Sequence, residues 1–206
     1  MTTAEQRSFT MIYNRAKAAD KLPWNHREPT HFLSTVAANR PKKGNALDIG
    51  CGSGVDSVYL AGQGWKVTSL DFVPDALRMT GERAKKAGVD LNIVQADVTA
   101  WNAPQRYDLI VDAGCLHNMK PVRHDAYRRR LMEWLTDDGD FVLVHYLKRH
   151  ALDWRPVGPT RRSRQWVEAF FAPGLVEKDY LEKTYTGLPI VIGPTMAMST
   201  YWFRRR

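Results

Sequence analysis

The sequence predicts an α/β protein with a doubly wound, mostly parallel seven-stranded sheet, an antiparallel edge strand and an N-terminal helical lid. Three observations carry this expectation. Short apolar runs alternate with helical patterns between residues 45 and 146, the rhythm of βαβ units with helices on both faces of a sheet. A glycine-rich turn, Gly50-Cys51-Gly52-Ser53-Gly54, stands directly between the first apolar run and the helix that follows it. After residue 146 the rhythm gives way to a basic loop, a helix and two further apolar runs, connected through Gly187-Leu188-Pro189 and Gly193-Pro194. Two late strands joined by a loop suit an antiparallel pair at the sheet edge.

Taken in order, residues 4–19 place Phe9, Ile12, Tyr13 and Ala16 at helical spacing. Leu22-Pro23-Trp24-Asn25-His26 breaks that pattern, and a shorter helix is expected over Thr30–Asn39. Strands are expected at Ala46–Ile49, Trp65–Leu70, Leu91–Gln95, Tyr107–Asp112 and Asp140–His145. Helices are expected at Val55–Gly62, at Pro74–Ala87, where Pro sits in the first turn, and at Arg123–Leu135. Asp137-Asp138-Gly139 reads as a turn, Leu147–Thr160 as a long loop, Arg161–Phe171 as a helix, and Val176–Thr184 and Met198–Phe203 as the closing strands. The chain is expected to form one domain: a helical cap (1–43), a core (44–146) and a distal loop, helix and strand pair (147–206).

Composition narrows the function classes. The 206 residues are 44% hydrophobic, enough for a full core, so overall disorder is excluded. Two cysteines exclude a disulfide framework. No secretory h-region and no run of about 20 apolar residues is visible, so a cytoplasmic protein away from the membrane is expected. The net charge of +8 leaves open nucleic acid, an acidic membrane surface, an anionic small substrate or simple solubility. Much of it is local: Lys148–Arg164 holds six basic residues against Asp153 alone, and the chain ends in Arg204-Arg205-Arg206.

The glycine turn carries the chemistry. Glycines there permit a tight turn and close approach of a ligand to the main chain, beside the amides that open the next helix. A dinucleotide fingerprint starting at Gly50 would need glycine where Val55 stands, and the Gly-Lys-Ser/Thr of a P-loop is absent. Instead Asp48 precedes the glycines, suiting a cationic or zwitterionic ligand better than pyrophosphate. Asp71 ends the next strand 21 residues after Gly50, close to the usual spacing of a ribose-binding acid. Phe72 beside it is a candidate to lie against an adenine face, or a core residue. Asp97 and Val98 end the third strand, where Asp97 either accepts from an adenine amino group or caps a turn. Cys51 reads as a small buried filler.

Asp48–Gly54, Asp71, Asp97 and Asp108–Asp112 stand in the order and spacing of class I S-adenosylmethionine-dependent methyltransferases. The chain resembles that superfamily over about residues 44–146. Within it the chain is most similar to small-molecule enzymes of the thiopurine and tellurite-resistance type, through Pro23-Trp24 before the glycine turn and Arg164–Phe170 before a strand. The resemblance implies a Rossmann-like methyltransferase fold and S-adenosylmethionine as cofactor, with S-adenosylhomocysteine as product. It places Gly50, Cys51 and Gly52 along the methionine part and Asp48 near its amino group. It gives the ribose to Asp71, the adenine to Asp97 and Val98, and main-chain contacts with the methionine to Asp112 and Ala113. Trp24 would close over cofactor or substrate, unless it is an ordinary packing residue.

Methyl transfer from a sulfonium is an in-line displacement, so the protein aligns the nucleophile, excludes water and, where needed, takes a proton. Candidate bases are His117, after the fourth strand, and His145, ending the fifth; for His117 a packing role is the alternative. His117, Tyr146, Trp154 and Trp24 are candidates for acceptor binding. The Asn/Asp-Pro-Pro-aromatic motif of nucleic-acid amino methyltransferases is absent, and no histidine or cysteine spacing suggests a metal. The acceptor expected is a small aromatic or carboxylated metabolite methylated on O, N or S. The rivals are RNA or protein methylation through the basic 148–164 segment, and cofactor binding without methyl transfer. Monomer and homodimer both remain open.

Overall fold

The structure is a computed structural model that describes residues 4–22, 24, 28–150, 153, 159–186 and 195–206. Helix α1 (Ala4–Ala16) stops before Lys17, whose positive φ of 58° a helix does not accommodate. Helix α2 (Leu33–Ala38) precedes β1 (Asn45–Ile49), α3 (Val55–Gly62), β2 (Lys66–Asp71) and α4 (Pro74–Ala87). Then come β3 (Asn92–Gln95), β4 (Tyr107–Asp112), α5 (His124–Trp134) and β5 (Leu135–Leu147). Helix α6 (Arg164–Phe171), β6 (Leu175–Thr186) and β7 (Thr195–Arg205) complete the order.

The seven strands form one sheet in the order β3-β2-β1-β4-β5-β7-β6. The pairs from β3 to β5 are parallel. Strand β7 runs antiparallel to both β5 and β6, so the late hairpin forms the sheet edge and β7 fills the place inside it. Its connecting residues lie outside the described ones.

The strands are apolar on both faces, as a sheet covered on both sides requires. Leu47, Ile49, Ile110, Phe141 and Leu143 point into one cluster with Leu131 of α5 and Val167 of α6. Their neighbours Ala46, Leu109, Val111 and Val142 point the other way, onto Leu33 and Val36 of α2 and Leu60 of α3. A third cluster joins α1 to α4 through Tyr13, Ala76 and Met79, with Phe9, Ile12 and Phe72 at its margin.

Two expectations need correction. Asp137-Asp138-Gly139 is not a separate turn ahead of a strand, because β5 already starts at Leu135. Tyr107 pairs with Leu135, and the next register pair is Leu109 with Asp140, so the intervening residues bulge out within the strand. Buried Leu135 holds the strand start in the core. Helix α6 begins at Arg164 rather than Arg161, because Ser163 is its N-cap and accepts from the Trp166 amide at 3.2 Å.

Candidate functional site

The strand order reverses between β1 and β4, so the segments leaving these neighbouring strands at their carboxyl ends border a crevice, the usual ligand position in open α/β sheets. The glycine turn leaves β1 there. Gly50, Gly52 and Gly54 have φ of 68°, 58° and 77°, a region costly for residues with a Cβ. A Cβ on Gly54 would stand 2.8 Å from the Thr80 methyl, and one on Gly52 would stand 2.9 Å from the Tyr13 hydroxyl. The turn is strapped from two sides. The Gly50 and Cys51 amides donate to the Leu70 carbonyl at 2.7 and 3.0 Å. From α4, the Thr80 hydroxyl donates to the Gly52 carbonyl at 3.0 Å, and Arg83 Nε donates to the Ser53 carbonyl at 2.7 Å.

Asp71 lies against this turn. Its carboxylate accepts from the Gly52 amide at 3.0 Å and the Val73 amide at 2.9 Å. Burial pushes its pKa up to about 6, while those amides pull it back. Asp48 points into the core rather than along the turn: it accepts from the Ser57 hydroxyl at 2.6 Å, which in turn accepts from Ser69 at 2.8 Å. Burial and the neighbouring Asp56 carboxylate raise its pKa well above the usual range. Cys51 is buried with Sγ 3.6 Å from Thr80 Oγ1, and burial pushes its thiol pKa up, so it is no thiolate nucleophile.

Asp97 makes the turn-capping contacts: the Thr99 amide and hydroxyl donate to its carboxylate at 2.9 and 2.7 Å. Arg123 also donates to it, and to the Thr99 hydroxyl at 2.8 Å. Burial would raise the Asp97 pKa, but the Thr99 hydrogen bonds and the Arg123 charge hold it below the usual carboxylate value. Val98 is buried in the sheet core. Phe72 lies edge-on to Phe9 of α1, centroids 6.1 Å apart, and is half-buried. Trp24, 40% exposed, packs edge-on against Phe9 and Tyr13 at 5.7 and 5.8 Å. These aromatics form a cap that brings α1 over the glycine turn.

The segment after β4 is organised by Asp112, which is fully buried. Its carboxylate accepts from the amides of Gly114, Cys115 and Leu116 at 3.0, 2.7 and 3.1 Å, and from the Tyr127 hydroxyl at 2.6 Å. The half-buried Ala113 leads into this turn. His117 follows in a 3-10 turn, its Nδ1 3.3 Å from the Val144 carbonyl and its ring edge-on to Tyr146 at 4.6 Å. His145 is fully buried, with Nδ1 2.9 Å from the Tyr146 carbonyl and Nε2 without a partner. The two rings are 5.6 Å apart. Burial takes the pKa of His117 down to about 3 and that of His145 to about 4, so both are neutral at physiological pH. The candidate base His145 exposes no atom, and a pKa near 3 makes His117 a hydrogen-bonding imidazole more than a strong base.

These shifts have a consequence for stability. The unfolded chain protonates both histidines below about pH 6.5, while the folded chain resists until about 4 or 3. Their contribution is full above pH 6.5 and is lost as pH falls through that window. Urea midpoints between pH 4 and 7 are expected to fall less steeply in His145→Gln than in the wild type. An identical slope would show that His145 titrates normally when folded.

Among the described residues of the basic segment, three arginines are held in ion pairs. Arg149 and Arg161 both bind the buried Asp153, at 3.1 and 2.6 Å. Arg164 binds Glu168 and Glu177 at 2.5 and 2.6 Å and covers the Tyr180 ring. In the tail, Arg204 binds Asp140 at 2.9 Å, and Arg205 donates to the Met132 and Leu135 carbonyls. Trp154 lies outside the described residues. Among the described residues no group of histidine, cysteine or carboxylate side chains is arranged to hold a metal, and no helix is long and apolar enough to cross a membrane.

Sequence reasoning missed Tyr13, Arg123 and Tyr127. Tyr13 and Tyr127 sat in apolar helical stripes, and Arg123 looked like an ordinary helix start. Nothing in the sequence tells that their polar ends reach Gly52, Asp97 and Asp112.

Residues 46–139 match the family described as a methyltransferase domain. Over this segment, a little under half of the chain, the fold and the glycine turn are similar to those of class I, S-adenosylmethionine-dependent methyltransferases. Over 154 residues the chain is 23% identical to the 2-heptyl-1-hydroxyquinolin-4(1H)-one methyltransferase of Mycobacteroides abscessus, covering 72% of this chain and 67% of that protein. Over 134 residues it is 28% identical to ribosomal RNA small subunit methyltransferase C of Alcanivorax borkumensis, covering 65% of this chain but 38% of that longer protein. Its fold is similar to that of the N-methyltransferase NodS of Bradyrhizobium japonicum WM9, solved with S-adenosylhomocysteine. The TM-score is 0.75 at 18% identity, covering 98% of this chain and 99% of that one.

Proposed function

We propose that the protein transfers a methyl group from S-adenosylmethionine to an O, N or S atom of a small molecule. The observation that carries this reading is the pairing of the left-handed glycine turn with the buried Asp71 carboxylate at the point where the strand order reverses. The cofactor fits these residues. The turn offers main chain that no Cβ shields, and Asp71 is a buried carboxylate whose donors among the described residues are main-chain amides alone. When bound, the cofactor supplies a methyl group already activated on a sulfonium.

In this reading Asp71 accepts from the ribose hydroxyls, and Gly50, Cys51 and Gly52 border the methionine part. Asp97, held ionised by Arg123, and Val98 face the adenine. Asp112 shapes the turn so that its own and the Ala113 main chain face the methionine. Asp48 acts at one remove, bracing the turn through Ser57. Phe72, Tyr13 and Trp24 exclude water from above. His117, with Tyr146 against it, positions the acceptor, and its Nε2 receives a hydrogen bond from the protic nucleophile. His145 supports that arrangement from beneath. The chain works as one unit: residues 1–43 are the cap, 44–146 the cofactor core and 147–206 the acceptor side. Two free thiols suit action in the reducing cytoplasm. The pairing of Arg149, Arg161 and Arg164 with carboxylates favours a small acceptor over RNA.

Calorimetry is expected to show S-adenosylhomocysteine binding, weakened in Asp71→Ala by about 1–3 kcal/mol, since a charged hydrogen-bonding partner is lost. Absence of binding by the wild type would refute the reading. The same residue predicts a pH dependence. Ribose hydroxyls donate to the ionised carboxylate, so binding favours ionisation, and affinity falls as pH drops below about 6. In the empty protein the sign is opposite: the raised pKa stabilises the fold at low pH, and this is lost as pH rises toward 6. Asp71→Asn removes the low-pH loss of affinity if this assignment is right.

A further inference from the structure

The paired arginines of the basic segment leave one out. The guanidinium of Arg162 forms no ion pair with any described residue, while Arg149, Arg161 and Arg164 each hold a carboxylate. It lies over the Trp166 ring, 4.5 Å from the centroid, and its Nε is buried without a partner. Trp166 is itself fixed by stacking on Phe170 at 4.9 Å. On the same tryptophan, 6.4 Å from its centroid, lies His145, fully buried and also with an unpartnered ring nitrogen. Its Nδ1–H is committed to the Tyr146 carbonyl, so Nε2 is a lone-pair acceptor.

Backbone contacts put this pair at the carboxyl ends of β4 and β5. The Arg162 amide donates to the Tyr146 carbonyl at 3.0 Å, the Lys148 amide to the Arg162 carbonyl at 2.9 Å, and the Thr160 amide to the His117 carbonyl at 2.7 Å. A buried donor left unmade costs free energy, so the Arg162 guanidinium, which holds no carboxylate, is open to a polar partner, a ligand or water. A guanidinium over an aromatic face keeps its terminal nitrogens available, and these match the oxygens of a carboxylate.

We propose that the guanidinium of Arg162 binds a carboxylate on the methyl acceptor, with the buried His145 lying behind it against Trp166. The acceptor is thus a small carboxylic acid, with Trp166 holding the guanidinium in place. This rests on the methyl-transfer reading.

The test uses protein loaded with S-adenosylhomocysteine and a panel of benzoate, 2-hydroxybenzoate, 4-hydroxybenzoate, indole-3-acetate and quinoline-2-carboxylate, each paired with its amide. At least one acid is expected to bind ten-fold or more tightly than its amide. Arg162→Gln should erase that preference, and Arg162→Lys should keep part of it. Cofactor affinity and melting temperature, measured on the same variants, should not change. If the cofactor itself does not bind, the methyl-transfer reading fails. If it binds and no acid is preferred, or if the preference survives in Arg162→Gln, this inference is overturned and a bridging water suffices for the two buried atoms. Salt-sensitive binding of a short RNA in place of the acids would overturn it as well.

Discussion

Replacing Asp140 with alanine is expected to lower folding free energy by about 3 kcal/mol, the range found when one partner of a buried ion pair is removed. Asp140 is fully buried at the start of the regular part of β5. Its carboxylate accepts from Arg40 Nε at 2.9 Å, Trp202 Nε1 at 2.8 Å, and Arg204 Nε and Nη2 at 2.9 and 3.2 Å. It ties the turn after α2 to β5 and β7, elements far apart in the chain. Removing it leaves Nε of Arg40, whose side chain is 14% exposed, without its partner, while its terminal nitrogens keep Asp138; Arg204, at 40%, can rehydrate. That asymmetry places the effect nearer the bottom than the top of the usual range. Asp140 lies toward the amino end of its strand, away from the ligand crevice. The folded fraction should therefore bind S-adenosylhomocysteine with unchanged affinity. Urea denaturation checks the first claim and calorimetry the second. A loss below about 1 kcal/mol would mean that water replaces the carboxylate.

This network also shows what the sequence could tell and what it could not. The glycine turn and Asp71 were legible because they are local: a strand end, a backbone that needs positive φ, and an acid at a fixed spacing. The parallel strands were legible because a sheet buried on both faces needs continuous apolar runs such as Leu109-Ile110-Val111. The start of β5 was not, because Asp137-Asp138-Gly139 has turn composition, and only the pairing of Tyr107 with Leu135 extends the strand across it. The basic excess misled for a similar reason. Arg161 meets Asp153, Arg164 meets Glu177, and Arg204 meets Asp140 only once the chain is folded. Sequence shows six basic residues in one segment, and folding leaves Arg162 as the one described arginine there without a carboxylate. Tyr13 illustrates the limit for side chains: helical spacing predicts that its ring packs, while the placement of its hydroxyl beside Gly52 depends on how α1 crosses α4.

Asp112→Ala is expected to cost a similar amount, about 3 kcal/mol, and in addition to abolish cofactor binding. The carboxylate satisfies three successive amides and one tyrosine hydroxyl, all in a buried setting. Hydrogen bonds to a charged group contribute about 1.5–3 kcal/mol each, and donors left unpaired lose their solvation as well. The segment from Ala113 to Asn118, which carries His117, has no other anchor of comparable strength. Asp112→Asn should be nearly as damaging, because its amide nitrogen would face donors. Tyr127→Phe removes one contact only and should cost about 1 kcal/mol while leaving binding intact. The combination of Asp112→Ala with Tyr127→Phe should then cost little more than Asp112→Ala alone, since the hydroxyl has already lost its acceptor. If Asp112→Ala keeps wild-type stability yet binds no cofactor, the side chain acts directly on the ligand. If it unfolds more easily while its folded fraction binds normally, the turn forms without its carboxylate, and the placement of the methionine part must rest on the glycine turn alone.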